Sequence, residues 1–179
     1  MPILSLFVFP LIGYLCGSLP FSIWVTRFVK GVDVRDSGSG HATTTNTIRQ
    51  AGFGWGALVF VLDVAKGYIP TYLALKYSGD VQVVAFTAAF AVIGHCWPLF
   101  AGLRGGMGLA TAGGTFLAID TLTFLICIGL LILLVLVIRH SARASVFTGI
   151  LAAPVLWILN IRDVSFWVVA SAGLVIAVR

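Results

Sequence analysis

Long apolar segments recur along the whole chain, and they constrain its fold more than any other feature. The clearest is Thr121–Ile138, which contains no charged side chain. A helix needs about 20 mostly apolar residues to cross a membrane, and lipid offers the backbone no hydrogen-bond partner outside the helix itself. Charged residues make up 9% of the chain, against about 25% in soluble domains. The pattern predicts an integral membrane protein built of helices.

About seven such segments are present, and some are shorter than the bilayer is thick. They are Ile3–Val25, Phe53–Leu75, Val81–Trp97, Leu109–Ile119, Thr121–Ile138, Ser145–Leu159 and Val164–Val178. Short segments are accommodated by bilayer thinning or by packing inside the bundle. We therefore expect an all-α integral membrane protein in which residues 1–179 form a single multi-pass membrane domain.

One polar stretch interrupts this pattern at Asp36–Gln50. It reads DSGSGHATTTNTIRQ, so it is rich in hydroxyl side chains and also contains glycines and Arg49. Glycines let the backbone approach a ligand, N–H groups in such turns bind anions, and the planar arginine fork suits phosphate. The stretch is either a phosphate-binding segment or a solvated loop between membrane helices, and composition alone favours the loop.

Basic residues are distributed unevenly between the two sides of the predicted bundle. The side with the polar stretch has Arg27, Lys30, Arg35, Arg49, Arg104, Arg139, Arg143 and Arg179. The opposite side has Lys76 and Arg162, and Lys66 falls within a segment. Because basic loops remain in the cytoplasm, the N-terminus is expected outside and the polar stretch inside. The same orientation places all three histidines at the cytoplasmic face.

Asp63 and Lys66 are charged residues inside a predicted span. Their i,i+3 spacing places them on one helix face, where the charges can neutralise each other. An ionisable residue within a membrane suggests a functional site, but a structural pair that positions the first loop is an equal alternative. The three cysteines are far apart and lack CxxC spacing, so neither a disulfide framework nor a metal site is indicated.

A second glycine-rich segment follows the third span and reads GHCWPLFAGLRGGMGLATAGG. Gly105, Gly106 and Gly108 precede a short apolar segment, which predicts a tight turn into a helix. Free N–H groups at a helix N-terminus favour phosphate. The alternative is a segment whose glycines let membrane helices pack closely.

These motifs together resemble the bacterial acyl-phosphate:glycerol-3-phosphate acyltransferases, the PlsY family. The matching residues are Gly13-Tyr14-Leu15, Gly17-Ser18, Pro20-Phe21, Gly38-Ser39-Gly40, Thr45-Asn46, Arg49, Leu62-Asp63, Lys66-Gly67, Gly94-His95, Pro98, Phe100, Gly105-Gly106, Gly108, Ala110-Thr111, Arg139 and Ser145. The resemblance implies a PlsY-like fold and an acyltransferase of phospholipid biosynthesis. Its reaction would move an acyl group from acyl-phosphate to glycerol 3-phosphate and form lysophosphatidic acid, at the cytoplasmic face of a bacterial cell membrane.

The resemblance and the loop chemistry together give the candidate site residues. The catalytic candidates are His95, Ser39 and Arg49. The substrate-binding candidates are Ser39, Thr45, Asn46, Arg49, Arg104, Gly105, Gly106, Gly108 and Ser145. No metal and no cofactor is implied; the expected partners are membrane lipids and the two substrates, not nucleic acid. Phe7, Leu11 and Phe116 are candidates for a groove that receives the acyl chain.

Several positions depart from the family pattern. A family asparagine is His41, a Gly-Ala pair is Thr43-Thr44, a serine position is Ala142, and the lysine of the GGKG motif is Met107. The missing lysine predicts weakened phosphate binding and low activity, unless Arg104 or His41 supplies the charge. A catalytically degenerate PlsY-like accessory or lipid-binding subunit of a membrane complex therefore stays open as an alternative. A transporter is disfavoured because the polar groups are one-sided.

The charge asymmetry allows a direct test of orientation. In a background that lacks the native cysteines, a Ser37→Cys variant should react with an impermeant thiol reagent only when the cytoplasmic side is accessible. Asn160→Cys, on a link at the opposite side, is the matched control and should react only from outside. Labelling is measured by mass shift in intact and inverted vesicles. Reaction of Ser37→Cys from outside alone would overturn both the orientation and the one-sided site.

Overall fold

The computed structural model describes residues 3–179, and the regular elements in this range are all helical. The helices are α1 (Ser5–Gly17), α2 (Phe21–Lys30), α3 (Thr44–Ala51), α4 (Phe53–Tyr77), α5 (Val81–Cys96), α6 (Leu109–Ile119), α7 (Thr121–Ile138), α8 (Ser141–Ile158) and α9 (Val164–Ala177). Four helical stretches, one of which joins α1 and α2, are long and apolar enough to span a membrane, and three shorter apolar helices accompany them. The all-α membrane fold is confirmed.

Helix α5 lies at the centre of the bundle, where it packs against α1, α4, α6 and α9. It is rich in alanine and valine, and most of its side chains are buried. Helix α1 approaches it so closely that a Cβ at Gly17 would overlap the carbonyl oxygen of Ala91. Small residues allow this because dispersion contacts, rather than a hydrophobic effect, hold helices together in lipid.

The first predicted span, Ile3–Val25, is divided into α1 and α2 at Leu19 and Pro20. Proline lacks an N–H donor and disfavours helical geometry in the residue before it, so the helix is interrupted there. The break is braced from two sides. Lys66 Nζ donates to the Leu19 carbonyl at 2.9 Å, and the Leu99 N–H donates to Ser18 Oγ at 3.2 Å.

The polar stretch Asp36–Gln50 is not wholly a loop, because α3 begins within it. Thr43 is the N-cap of α3, and its side-chain oxygen accepts a hydrogen bond from the Asn46 N–H at 3.2 Å. Such a cap satisfies one of the free N–H groups in the first turn. The segment is therefore a short loop followed by a capped helix, a division that polarity alone does not reveal.

The other predicted boundaries agree closely with the helices, except at the start of α8. The polar link predicted at residues 139–143 is reduced to Arg139 and His140, because His140 caps α8. Its Nδ1 accepts from the Arg143 N–H at 3.4 Å. The helix therefore begins one turn before Ser145, the residue at which the predicted span started.

Helices α4 and α6 cross in backbone contact at two glycines, which gives a test of the packing. A Cβ at Gly67 would overlap the Thr111 carbonyl, and one at Gly114 would overlap that of Val64. Gly67→Ala should therefore destabilise the protein by about 1–3 kcal/mol through overpacking. The matched control is Gly54→Ala on the same helix, where a Cβ meets nothing within 4 Å. Thermal unfolding in one detergent compares them, and equal midpoints would refute the close crossing.

Candidate functional site

A cavity of about 520 Å³ lies between the polar stretch and helices α4, α6, α7, α8 and α9. Its volume falls in the range of small-molecule sites, about 300–1,000 Å³. Its polar lining residues are Ser39, His41, Thr43, Thr44, Thr45, Arg49, Asp63, His95, Ser145, Thr148 and Arg179. Its apolar lining includes Phe60, Val64, Leu109, Phe116, Phe124, Ile128, Leu131 and Val169. The cavity thus joins a polar end to an apolar cleft.

The structure brings most of the predicted site residues together around this cavity, and places the others outside it. Lining residues among them are Ser39, Thr45, Arg49, His95, Gly108 and Ser145. Asn46 is fully buried beneath the loop, Arg104 is exposed outside the cavity, and Gly105 and Gly106 lie behind its wall. Of the acyl-groove candidates, Phe116 lines the cavity, whereas Phe7 and Leu11 are exposed on the outside of α1.

Three helix N-termini converge on the polar end of the cavity. Thr44 and Thr45 begin α3, Gly108 and Leu109 begin α6, and Ser145 lies near the start of α8. The first N–H groups of a helix lack intrahelical acceptors and carry the positive end of the helix dipole. The arrangement therefore creates positive potential at one place and suits an anionic ligand.

The glycine turn before α6 folds back onto the end of α5. The Gly105 N–H donates to the Cys96 carbonyl and the Gly106 N–H to the His95 carbonyl, each at 3.1 Å. These two donors are therefore occupied, and the residues of this segment that line the cavity at a helix start are Gly108 and Leu109. Glycine is required at position 106, since a Cβ there would overlap His95 Nε2 and the Ala42 carbonyl.

Asn46 organises the polar loop from below. Its Nδ2 donates to the carbonyl oxygens of Val34, Ser37 and His41 at 2.7, 3.0 and 3.2 Å. The loop also needs a glycine at position 38, which has φ of 67° and lies against the Asn46 side chain. Asn46 thus fixes the path of the loop that carries Ser39 rather than lining the cavity itself.

An ionic brace joins the two polar loops. Arg35 pairs with Asp33 at 2.8 Å and donates to the Ala101 and Arg104 carbonyls at 2.7 and 3.1 Å. The hydrogen bond from Arg35, aided by the charges of Arg35 and Arg27, lowers the pKa of Asp33 to about 2. The brace therefore stays ionised at neutral pH, and Arg104 contributes its backbone to it rather than a charge to the cavity.

A cluster of three buried ionisable side chains connects α4 to α5 at the wall of the cavity. Asp63 and Lys66 form an ion pair at 2.8 Å, as their spacing predicted, and His95 Nδ1 lies 3.8 Å from the same Asp63 oxygen. His95 and Asp63 line the cavity, whereas Lys66 lies on the far side against Leu19. The pair therefore links the helix break to the imidazole at the cavity wall.

Sequence reasoning missed two lining positions of consequence, Met107 and Arg179. In the sequence, Met107 stands out only for the lysine it replaces, and Arg179 only as one of the basic residues that indicate orientation. The available signal was their position in the chain, since Met107 lies just before the predicted segment Leu109–Ile119 and Arg179 directly follows the predicted segment Val164–Val178. Within residues 3–179, no group of three His, Cys, Asp or Glu side chains has the geometry to hold a metal ion.

Comparison with known proteins relates the whole described fold to one family. Residues 7–179 match the family model described as glycerol-3-phosphate acyltransferase. Glycerol-3-phosphate acyltransferase 2 of Thermotoga maritima is 33% identical over 156 residues, which cover 87% of this chain and 80% of that protein. The glycerol-3-phosphate acyltransferase of Shouchella clausii is 42% identical over 154 residues, covering 83% and 74%.

Two solved structures of similar proteins share the fold. Both are crystal structures of PlsY (YgiH), described as an integral membrane glycerol 3-phosphate acyltransferase. The glycerol 3-phosphate form superposes with a TM-score of 0.86 at 33% identity and covers 98% of this chain and 88% of that one. The lysophosphatidic acid form has a TM-score of 0.83 at 33% identity and covers 96% and 86%.

The role of Asn46 can be tested with an isosteric change. Asn46→Asp replaces an NH₂ donor with an oxygen that faces three carbonyls, so the loop should lose its path and become accessible. We expect faster amide exchange over residues 34–43 and a cost of about 1–3 kcal/mol for the unpaired buried groups. Asn160→Asp, the same change on an exposed link, is the control. Unchanged exchange in Asn46→Asp would show that the side chain does not order the loop.

Proposed function

Because the chain belongs to the glycerol-3-phosphate acyltransferase family, we propose that the cavity is the active site in which it transfers an acyl group from acyl-phosphate to glycerol 3-phosphate. The protein is a multi-pass membrane acyltransferase that makes lysophosphatidic acid. The observation that carries the site assignment is the joining of an anion-attracting polar end to an apolar cleft in one cavity. Both substrates have a phosphate, and one also has a long acyl chain.

The polar end suits the phosphates of the two substrates. Arg49 on α3 reaches the cavity, and no carboxylate among residues 3–179 lies within ion-pair distance of it. A free guanidinium binds phosphate through two parallel hydrogen bonds. Hydroxyl residues Ser39 and Thr45 line the same cavity, and the α6 N-terminus supplies further backbone donors. Together they hold the phosphates and bring the two substrates into register.

The apolar cleft suits the acyl chain. Phe116 on α6 and Phe124, Ile128 and Leu131 on α7 form one wall. Helix α7 packs chiefly against α6 and α8 and has most of its surface exposed. The cleft is therefore separated from lipid only by α7, so an acyl chain can enter it sideways from the bilayer.

The reaction needs positioning more than further activation, because acyl-phosphate already has a good leaving group. The 1-hydroxyl of glycerol 3-phosphate attacks the acyl carbonyl carbon, a carbon–oxygen ester bond forms, and the carbon–oxygen bond to phosphate breaks. Phosphate leaves with the bonding electrons. His95 lines the cavity and is assigned to the attacking hydroxyl, whose proton a neutral imidazole can accept. Holding both reactants in line contributes most of the acceleration.

Further elements of this proposal concern location and partners. We place the site at the cytoplasmic face of a bacterial cell membrane, with the N-terminus outside, on the strength of the charge asymmetry. The alternative of a catalytically degenerate accessory or lipid-binding subunit is not favoured, because the similar solved structures are of an acyltransferase. Association with a larger membrane complex stays a prediction.

The test is turnover by the purified protein in lipid, with Arg49 as the diagnostic residue. Acyl-phosphate and glycerol 3-phosphate should yield lysophosphatidic acid and inorganic phosphate in equal amounts. Arg49→Lys should lose about 10-fold or more in kcat/KM while staying folded, since lysine cannot reproduce the bidentate geometry. Arg143→Lys, an exposed arginine outside the cavity on the same side, is the control.

Three outcomes separate the possibilities. No lysophosphatidic acid from the natural chain would overturn the reaction assigned here. Wild-type turnover in Arg49→Lys would show that Arg49 is only a surface charge. Equal losses in both variants would point to the general electrostatics of that face rather than to one phosphate contact.

A further inference from the structure

We propose that Arg179 is a phosphate-binding residue of the cavity and supplies the cation that position 107 lacks. This inference rests on the proposed function and extends it to a residue outside the motifs. The ligand of Arg179 in this proposal is a phosphate group. Both substrates contain one, and the experiment below distinguishes which substrate Arg179 binds.

Arg179 is directed inward rather than into solvent. Its Nε donates to the Gly106 carbonyl at 3.2 Å, and its guanidinium carbon lies 5.7 Å from the centre of the Trp97 ring. The side chain is only partly exposed and lines the cavity. These two contacts hold the side chain against the glycine turn, and an arginine that served only as a surface charge at the end of α9 would not need them.

The Nε bond leaves the terminal nitrogens of the guanidinium for a ligand. Within residues 3–179, Arg179 has no carboxylate in ion-pair distance, and the one hydrogen bond that its side chain makes to protein is the one to Gly106. Asp63, the carboxylate that lines the cavity, is already paired with Lys66 at 2.8 Å. The charge of Arg179 is therefore not cancelled by the protein, and a buried or half-buried cation of this kind favours an anion.

The position of Arg179 also explains how the site tolerates methionine at 107. Met107 follows Gly106 directly and lines the same cavity, so a lysine there would compete for the space beside the turn. Arg104 cannot fill this role, because it is exposed and its carbonyl is bound by Arg35. Two arginines then reach the cavity, Arg49 from α3 and Arg179 from the end of α9. Their number matches the two phosphates that the reaction has to bind.

The experiment compares four variants. Three are the single substitutions Arg179→Gln, Arg179→Lys and Arg162→Gln, and the fourth combines Met107→Lys with Arg179→Gln. Arg162 is the matched control, since it also stacks on a tryptophan, 4.1 Å from the Trp157 ring centre, but on a link at the opposite end of the bundle. KM for each substrate is measured by varying one at a saturating level of the other. Thermal stabilisation by glycerol 3-phosphate and by inorganic phosphate gives a readout that does not depend on turnover.

Arg179→Gln should raise one KM about 10- to 100-fold, as loss of a charged hydrogen bond does, with a smaller change in kcat. The substrate whose KM rises identifies the phosphate. Phosphate stabilisation should fall in the same variant, persist in Arg179→Lys and Arg162→Gln, and return when Met107→Lys is combined with Arg179→Gln. Rescue by a cation at a different position is a result that a purely structural role for Arg179 would not give.

Wild-type KM values and undiminished phosphate stabilisation in Arg179→Gln would overturn the proposal. So would failure of the Met107→Lys combination to restore binding in a protein that unfolds at the wild-type temperature. If the natural chain shows Arg179-dependent phosphate stabilisation but no acyl transfer, the anion site stands and the proposed reaction fails.

Discussion

The buried ammonium of Lys66 is the interaction on which the arrangement of the cavity depends. It pairs with Asp63 and donates to the Leu19 carbonyl at the break between α1 and α2, so one side chain satisfies a charge and a backbone acceptor in a region with little water. Removing one member of a buried pair leaves an uncompensated charge, which is far more costly than replacing both. Because Asp63 also lies 3.8 Å from His95, the position of the imidazole is tied through α4 to the geometry of the break between α1 and α2.

The polar end of the site combines helix ends with two loops that are fixed by backbone contacts. Asn46 binds three carbonyls of the first loop, Arg35 binds two of the second, and the Ala42 N–H donates to the Gly105 carbonyl at 3.3 Å. Each of these side chains orders the backbone instead of facing the cavity. The hydroxyls and arginines that do face it are consequently held by neighbours with no contact to a ligand, which is how a polar site remains preorganised at a membrane surface.

Hydropathy predicted the membrane fold and most helix ends, because the apolar content of a spanning segment is a local property of the sequence. The ends of α6 and α7 were found this way, bounded by Gly108 and Asp120. The break at Pro20 and the start of α3 at Thr44 were missed because proline and capping effects are smaller than the hydropathy signal around them. The roles of Asn46 and Arg179 could not be predicted from the sequence, since they depend on the path of a loop and on where the end of α9 meets a turn some 70 residues earlier in the chain. Residue type suggested a ligand contact for Asn46, whereas tertiary structure turns its amide toward the backbone.

Helix α7 is at once the lipid-facing surface of the protein and one wall of the cleft, and it is held mainly by its neighbours in sequence. In the proposed site, a helix with this placement lies between the bilayer and the substrate. Changes in membrane thickness or lateral pressure act on its exposed face, and the opposite face is lined by Phe124, Ile128 and Leu131. The width of the cleft is thereby linked to the physical properties of the lipid phase that surrounds it, and the membrane becomes part of the boundary of the proposed active site.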